Sequence, residues 1–225
     1  MQSLSRLALA AALSVATLSA QAALVNRGGG MICDTVQNIT WLADMNYAQT
    51  SGHTGTGVNV NGTMTWDPAT AWASNLVYGG FSDWRSPTLN PLAASCTGGF
   101  GVGFGYNCTG GELSRLFVAD LGYNNDGSGL ITSDNTALQI ANLALFGNVQ
   151  SDFYWSGTED APVPDDAWFF RTDLGSQTIR DKRNAFYAVA VRPGDVAASV
   201  PEPQTLALVL LALGATMVVR RRRPV

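Results

Sequence analysis

The sequence predicts an α+β domain built on antiparallel strands, and three observations carry that expectation. Strand-like runs, two amphipathic helical stretches and long glycine-rich loops follow one another without the repeating strand-helix-strand order of a parallel sheet. Only 13% of the residues are charged while 46% are hydrophobic, a balance that suits a packed core rather than a disordered or coiled-coil chain. All six tryptophans fall between residues 23 and 199, a span suited to one domain with a single sizeable core.

Taken in order, residues 31–34 and 38–42 read as short strands around a turn at 36–38. Residues 50–63, rich in glycine, threonine and asparagine, read as a surface loop. Asp67-Pro68 supplies a cap and a first-turn proline, so a helix is expected from there, with Trp72 and Leu76 as its apolar stripe and Gly79-Gly80 as its stop. A second helix is expected over 111–121, with Leu113, Leu116, Phe117 and Leu121 on one face and Gly122 as terminator. Residues 137–145 could form a third, short helix. Strands are expected at 153–156, 168–172 and 186–191, the last apolar on both faces as a central strand is.

Both ends of the chain carry targeting patterns. Arg6, the apolar stretch from Leu7 to Leu18 and the small-residue exit Ala20-Gln21-Ala22 mark residues 1–22 as a secretory signal peptide. At the other end, residues 200–225 hold Pro201-Glu202-Pro203, an uncharged run and the cluster Arg220, Arg221, Arg222 and Arg223. The apolar part, Thr205 to Val219, reaches only about 22 Å as a helix, against roughly 30 Å of hydrocarbon, so it is marginal as a permanent span. Motif, apolar run and arginines closely resemble the PEP-CTERM sorting signal of Gram-negative bacteria. That resemblance implies transient membrane contact through the tail, then cutting by an exosortase-type protease after signal peptidase has removed the leader. The expected destination is the cell surface or extracellular matrix, with inner-membrane anchoring before processing; an uncut tail anchor is the alternative.

Removing both segments takes the net charge from −4 to about −8. An acidic domain of that kind argues against nucleic acid or anionic lipid as partner. Export also places the three cysteines in an oxidising compartment. Cys96 and Cys108 bracket a glycine-aromatic loop that burial alone could hardly hold in one shape, so a disulfide between them is expected, worth about 3 kcal/mol. Cys33 is left over in an apolar run and reads as a buried free thiol.

Several ordered segments resemble a known family. They are Thr65-Trp66-Asp67, Trp84-Arg85-Ser86-Pro87-Thr88, Glu112-Leu113, Tyr154-Trp155-Ser156-Gly157-Thr158, Ala167-Trp168-Phe169-Phe170 and Ala190-Val191-Arg192. Together they are similar to the DUF1566 family, also called the Lcl C-terminal domain, although that family usually carries leucine where Ser86 stands. The resemblance implies a C-type lectin-like fold, a twisted antiparallel sheet with two flanking helices and long loops on one side. Asp83 and Arg85 are expected to be scaffold, and Trp155 and Trp168 core rather than sugar platforms.

No catalytic constellation emerges from the residue types. His53 is the single histidine, which rules out a Ser-His-Asp triad unless it serves, and its place in the 50–63 loop argues against that; a multi-histidine metal site cannot be built. Glu112 and Glu159 could be drawn as paired carboxylates, but no spacing singles them out. No enzyme activity and no obligatory cofactor are therefore expected. Glu159, Asp160, Asp165 and Asp166, four carboxylates within one loop, could ligate calcium, although a solvated acidic loop is the commoner outcome. The run 124–129 has an EF-hand look but lacks the first and last ligands, and reads as a tight turn. The expected function is a non-catalytic binding or adhesive module for extracellular polysaccharide or another surface polymer. The alternatives are a purely structural matrix protein and an envelope enzyme related to formylglycine-generating folds.

Overall fold

The computed structural model describes residues 24–123 and 135–196. The segments read from sequence as a leader at 1–22, a sorting tail at 200–225 and a turn at 124–129 lie outside the described residues.

The first three strands form a meander whose turns are written in the side chains. Leu24–Gly28 (β1) pairs with Met31–Asp34 (β2), which pairs with Ile39–Leu42 (β3), all antiparallel. Between β1 and β2 the chain turns through Gly30, at φ 74°, where a Cβ would come within 2.1 Å of the Tyr78 hydroxyl; glycine is required there. Between β2 and β3 the buried Asp34 carboxylate accepts from the backbone N–H groups of Val36 and Gln37 at 3.0 and 2.9 Å, and Asn38 takes a left-handed φ of 53°. A single turn, Tyr47–Thr50 (α1), follows.

The longest helix among the described residues, Trp66–Ser74 (α2), begins one residue ahead of the expected cap: Thr65 is its N-cap, and Asp67 and Pro68 lie inside the first turn, where a missing N–H costs nothing. It ends at Asn75, so Leu76 lies beyond it, and Gly79-Gly80 form a later turn closed by Tyr78 and Phe81. Trp72, Ala69 and Ala73 make its buried face.

The second expected helix divides into Glu112–Ser114 (α3) and a wider π-helical stretch, Arg115–Asp120. In the latter the Leu121 N–H donates to the Leu116 carbonyl five residues back, at 2.9 Å. The predicted apolar face is present, with Leu113, Leu116, Phe117 and Leu121 fully buried, and Gly122 leaves at φ 79°. Ala137–Leu143 (α4) corresponds to the third expected helix, two residues shorter than expected, capped by Thr136, whose hydroxyl accepts from the Gln139 N–H at 3.2 Å.

Two sheets are present where one was expected. Val191–Pro193 (β9) completes the first, in the order β1-β2-β3-β9. The second runs β4-β5-β8-β7-β6, from Thr97–Gly98 (β4), Gly105–Tyr106 (β5), Phe153–Glu159 (β6), Asp166–Arg171 (β7) and Ser176–Asp181 (β8). The Cys96–Cys108 disulfide is formed, and it closes the β4-β5 hairpin that extends this second sheet.

The run 186–191 is therefore not a central strand. Its Tyr187 lies beside β6, donating to the Phe153 carbonyl and accepting from the Trp155 N–H at 2.9 Å each, whereas its Ala190 carbonyl accepts from Leu42 of β3 at 3.1 Å. The run crosses from one sheet to the other, so its backbone partners change every few residues and no continuous ladder forms. It is apolar on both faces because a core lies on either side. One contains Trp41, Phe117, Tyr123, Tyr154, Trp168 and Phe170; the other contains Trp72, Trp84, Trp155, Phe169 and Phe186. Both Trp155 and Trp168 are core side chains, each 1% exposed.

Candidate functional site

The residues from Trp84 to Asn90 make no long strand, yet their backbone and the Arg85 side chain are tied to several other elements. Arg85 exchanges both backbone hydrogen bonds with Val191 at 2.8 Å. Its guanidinium donates to both oxygens of Glu112, Nη1 to Oε2 at 2.7 Å and Nη2 to Oε1 at 2.6 Å, and to the Ser86 carbonyl at 3.1 Å. The same carboxylate accepts from the Thr88 N–H at 2.8 Å, while the Leu113 N–H donates to the Thr88 carbonyl at 3.1 Å. On the other side the Gly157 N–H donates to Pro87, and Leu89 and Thr158 exchange bonds at 3.0 and 3.1 Å. The loop is thus strapped between α3 and β6.

Electrostatics follow from this geometry. Burial pushes the Glu112 carboxyl up, but the Arg85 guanidinium and the Thr88 N–H outweigh it and hold the carboxyl below its ordinary range. Glu112 correspondingly raises Arg85. Nearby, Asp83 accepts from Arg192 at 2.8 and 3.0 Å, and the Arg192 guanidinium lies 3.9 Å from the Phe81 ring centre. Asp83 and Arg85 both act as scaffold, as expected.

Beside this strap lies a groove of about 470 Å³, lined by Trp66, Thr70, Arg85, Ser86, Thr88 and Gly157 among others. Trp66 is the single tryptophan that is not buried. Its indole N–H donates to the Ser156 carbonyl at 2.8 Å, and the Lys182 ammonium lies 4.3 Å from its ring centre. A second groove, of about 530 Å³, opens between α2 and the 50–63 loop. Tyr47 and Trp72 line it together with Ser51, His53, Thr54 and Asn75. Ala71, exposed on α2, borders both grooves.

The acidic loop has another organisation from the one its composition suggested. Glu159 pairs with Lys182, whose ammonium also donates to the Pro164 carbonyl at 2.6 Å. Asp160 is buried and Asp166 begins β7, while backbone bonds from Val163 to Asp160 and from Asp166 to Val163 set the turn between them. Glu159, Asp160, Asp165 and Asp166 do not converge as a calcium ligand set: among the described residues, no group of three or more histidine, cysteine, aspartate or glutamate side chains could hold a metal ion. Glu159 is neutralised by Lys182 instead. Cys33 is a free, buried thiol, and burial, reinforced by Asp195, pushes it up to about 11.

Residues 30–192 match the Lcl C-terminal domain family. The chain belongs to that family. No curated protein and no solved structure matches it. In this Lcl C-terminal domain the segments that carry the family resemblance are joined to one another: the tryptophan-arginine-proline-threonine run reaches Glu112-Leu113 and Gly157-Thr158 through the bonds above. Trp66 was singled out only as part of the family resemblance, and Thr70 and Lys182 not at all. The signal for the first two was a four-residue spacing on one helix face, which Trp72 and its buried neighbours obscured. Lys182 joins them only through the fold. Among the described residues no helix is long and apolar enough to cross a membrane.

Among the described residues, a buried carboxylate is poorly compensated. Asp120 is 6% exposed; Arg115 stands 3.8 Å away, and its Oδ2 has no hydrogen-bond partner among the described residues. Burial therefore raises its carboxyl from 3.8 to about 6, with Arg115 opposing and Asp34 adding to the rise. Because the folded form binds the proton more tightly than the unfolded form, this group's contribution is fully present below its unfolded pKa and is lost as pH rises through about 6. From about pH 5 to about pH 7.5 the expected loss is on the order of 1 kcal/mol. Urea titrations at the two pH values should show that drop in the wild type and little of it in Asp120→Asn; equal drops in both would assign the effect elsewhere.

Proposed function

We propose that the protein is an exported, surface-sorted, non-catalytic module of the cell envelope or extracellular polysaccharide matrix, with a C-type lectin-like fold, that binds glycan or another surface polymer. The observation that carries this reading is the pair of open grooves on either side of α2, held on a scaffold strapped by the Arg85–Glu112 pair. The lectin-like assignment draws on the antiparallel sheets, the long loops and the placing of the first and last described strands in one sheet, with Arg27 and Asp195 paired at 2.9 Å beside them. The non-catalytic assignment draws on the commitment of Glu112 and Glu159 to ion pairs with Arg85 and Lys182. Export and sorting draw on the patterns at 1–22 and 200–225.

Two measurements test the reading. Intact mass spectrometry of the protein recovered from cells should give a mass running from about Ala23 to near Pro201, and a mass that retains Arg220 to Arg223 would overturn surface sorting. Isothermal titration of that form with polysaccharide purified from the native matrix should show saturable heat. No saturable binding would leave a purely structural role in its place.

A further inference from the structure

Resting on that reading, we infer that the α2 face takes an uncharged polysaccharide strand, which lies over the helix at Ala71 and occupies both grooves. The two grooves share that residue, which is exposed and carries only a methyl side chain. Each has a volume within the range of sites that hold small ligands.

The chemistry of the lining selects the ligand class. The groove beside the 50–63 loop has the half-buried ring of Tyr47 and hydrogen-bonding groups on Ser51, His53, Thr54, Thr56 and Asn75, and no aspartate, glutamate, lysine or arginine lines it. The groove beside the strap offers Trp66 and the hydroxyls of Thr70, Ser74, Ser86 and Thr88. Its one charged lining side chain, Arg85, already makes a bidentate pair with Glu112, so no uncommitted cation is left there for a sulfate or uronate. Nor does a carboxylate line either groove to attract a cationic ligand. The surface is neutral over a long stretch of chain as well: between Met45 and Ser82, Asp67 is the only aspartate, glutamate, lysine or arginine, in a mature domain of about −8. Aromatic rings with neutral donors and acceptors match a polyhydroxylated, uncharged polymer, whose C–H faces pack on rings while its hydroxyls exchange bonds with side-chain hydroxyls and amides. Two grooves that share a bordering residue favour a chain of sugars over a single one.

The processed full-length protein should be titrated with oligomers of dextran, which is uncharged, and of alginate, a polyuronate. Dextran binding is expected. Thr54→Arg in the first groove and Ser74→Arg in the second should each weaken it about tenfold, the loss of one or two good contacts, while Leu138→Arg on the exposed side of α4 should leave it unchanged. Both groove positions are exposed, and unchanged melting temperatures would show that folding is intact. Binding of alginate in place of dextran, or dextran binding indifferent to both groove variants, would overturn the inference. If native matrix polysaccharide binds while dextran does not, the uncharged class is wrong and the binding reading stands. If the native polysaccharide also fails, that reading falls with it.

Discussion

Trp155→Ala should destabilise the domain by about 4 kcal/mol, enough to unfold a large fraction of a marginally stable protein. Trp155 is 1% exposed, and its ring centre lies 4.4 Å from that of Phe186 and 6.0 Å from that of Phe169. Its indole N–H donates to the Met64 carbonyl at 2.9 Å, so truncation opens a cavity and also leaves a carbonyl without that bond. The effect should be global because Trp155 stands where three segments meet: β6, the crossing run at Phe186 and the turn that leads into α2 at Met64. Urea denaturation followed by far-UV circular dichroism would measure it. Trp155→Phe keeps most of the packing and loses the hydrogen bond, so a cost of about 1 to 2 kcal/mol is expected. A cost for Trp155→Ala near that of a surface substitution would mean that this contact is not part of the cooperative core.

Glu112→Ala should cost about 3 kcal/mol. The carboxylate accepts two bonds from Arg85 and one from the Thr88 N–H, and its side chain is only 16% exposed. Removing one partner of a buried pair costs roughly 3–5 kcal/mol, because the other charge loses its compensation. The Arg85 side chain is 40% exposed and can recover water, which places the expectation at the low end. The pH dependence has a definite sign. Because the folded pKa of Glu112 is depressed, its contribution is present above the unfolded value and is lost as pH falls through the folded one, so acid below about pH 4.5 should weaken the wild type more than Glu112→Gln. Dextran or matrix-polymer affinity should fall along with stability, since Arg85, Ser86 and Thr88 line a groove only while the strap holds them. Unchanged affinity in a folded Glu112→Gln protein would separate the strap from the site.

Local chemistry was strong enough to decide several elements in advance. The Asp34 turn, the α2 first turn with its proline, the buried face of Leu113, Leu116, Phe117 and Leu121, and the Cys96–Cys108 bridge all depend on residues close in sequence, whose caps, periodicity and loop closure act before any long-range contact forms. Strand β8 was missed because Ser176–Asp181 carries little apolar signal and gains its place by pairing with β7 and β5. The run 186–191 was misread for the opposite reason, since its apolar faces look like a central strand whether it lies in one sheet or crosses between two.

Sequence by itself determined the family, the α+β class and the local turns and caps, because those are properties of nearby residues and of ordered motifs. Only the tertiary structure decided that Arg85 meets Glu112, that Lys182 covers Trp66 and holds Glu159, and that Ala71 borders both grooves. Lys182 is over a hundred residues from Trp66, and a charge pattern read along the chain has no access to which cation will neutralise which carboxylate. That pairing is set by the second sheet meeting the start of α2, where the Trp66 N–H donates to the Lys182 carbonyl at 3.0 Å.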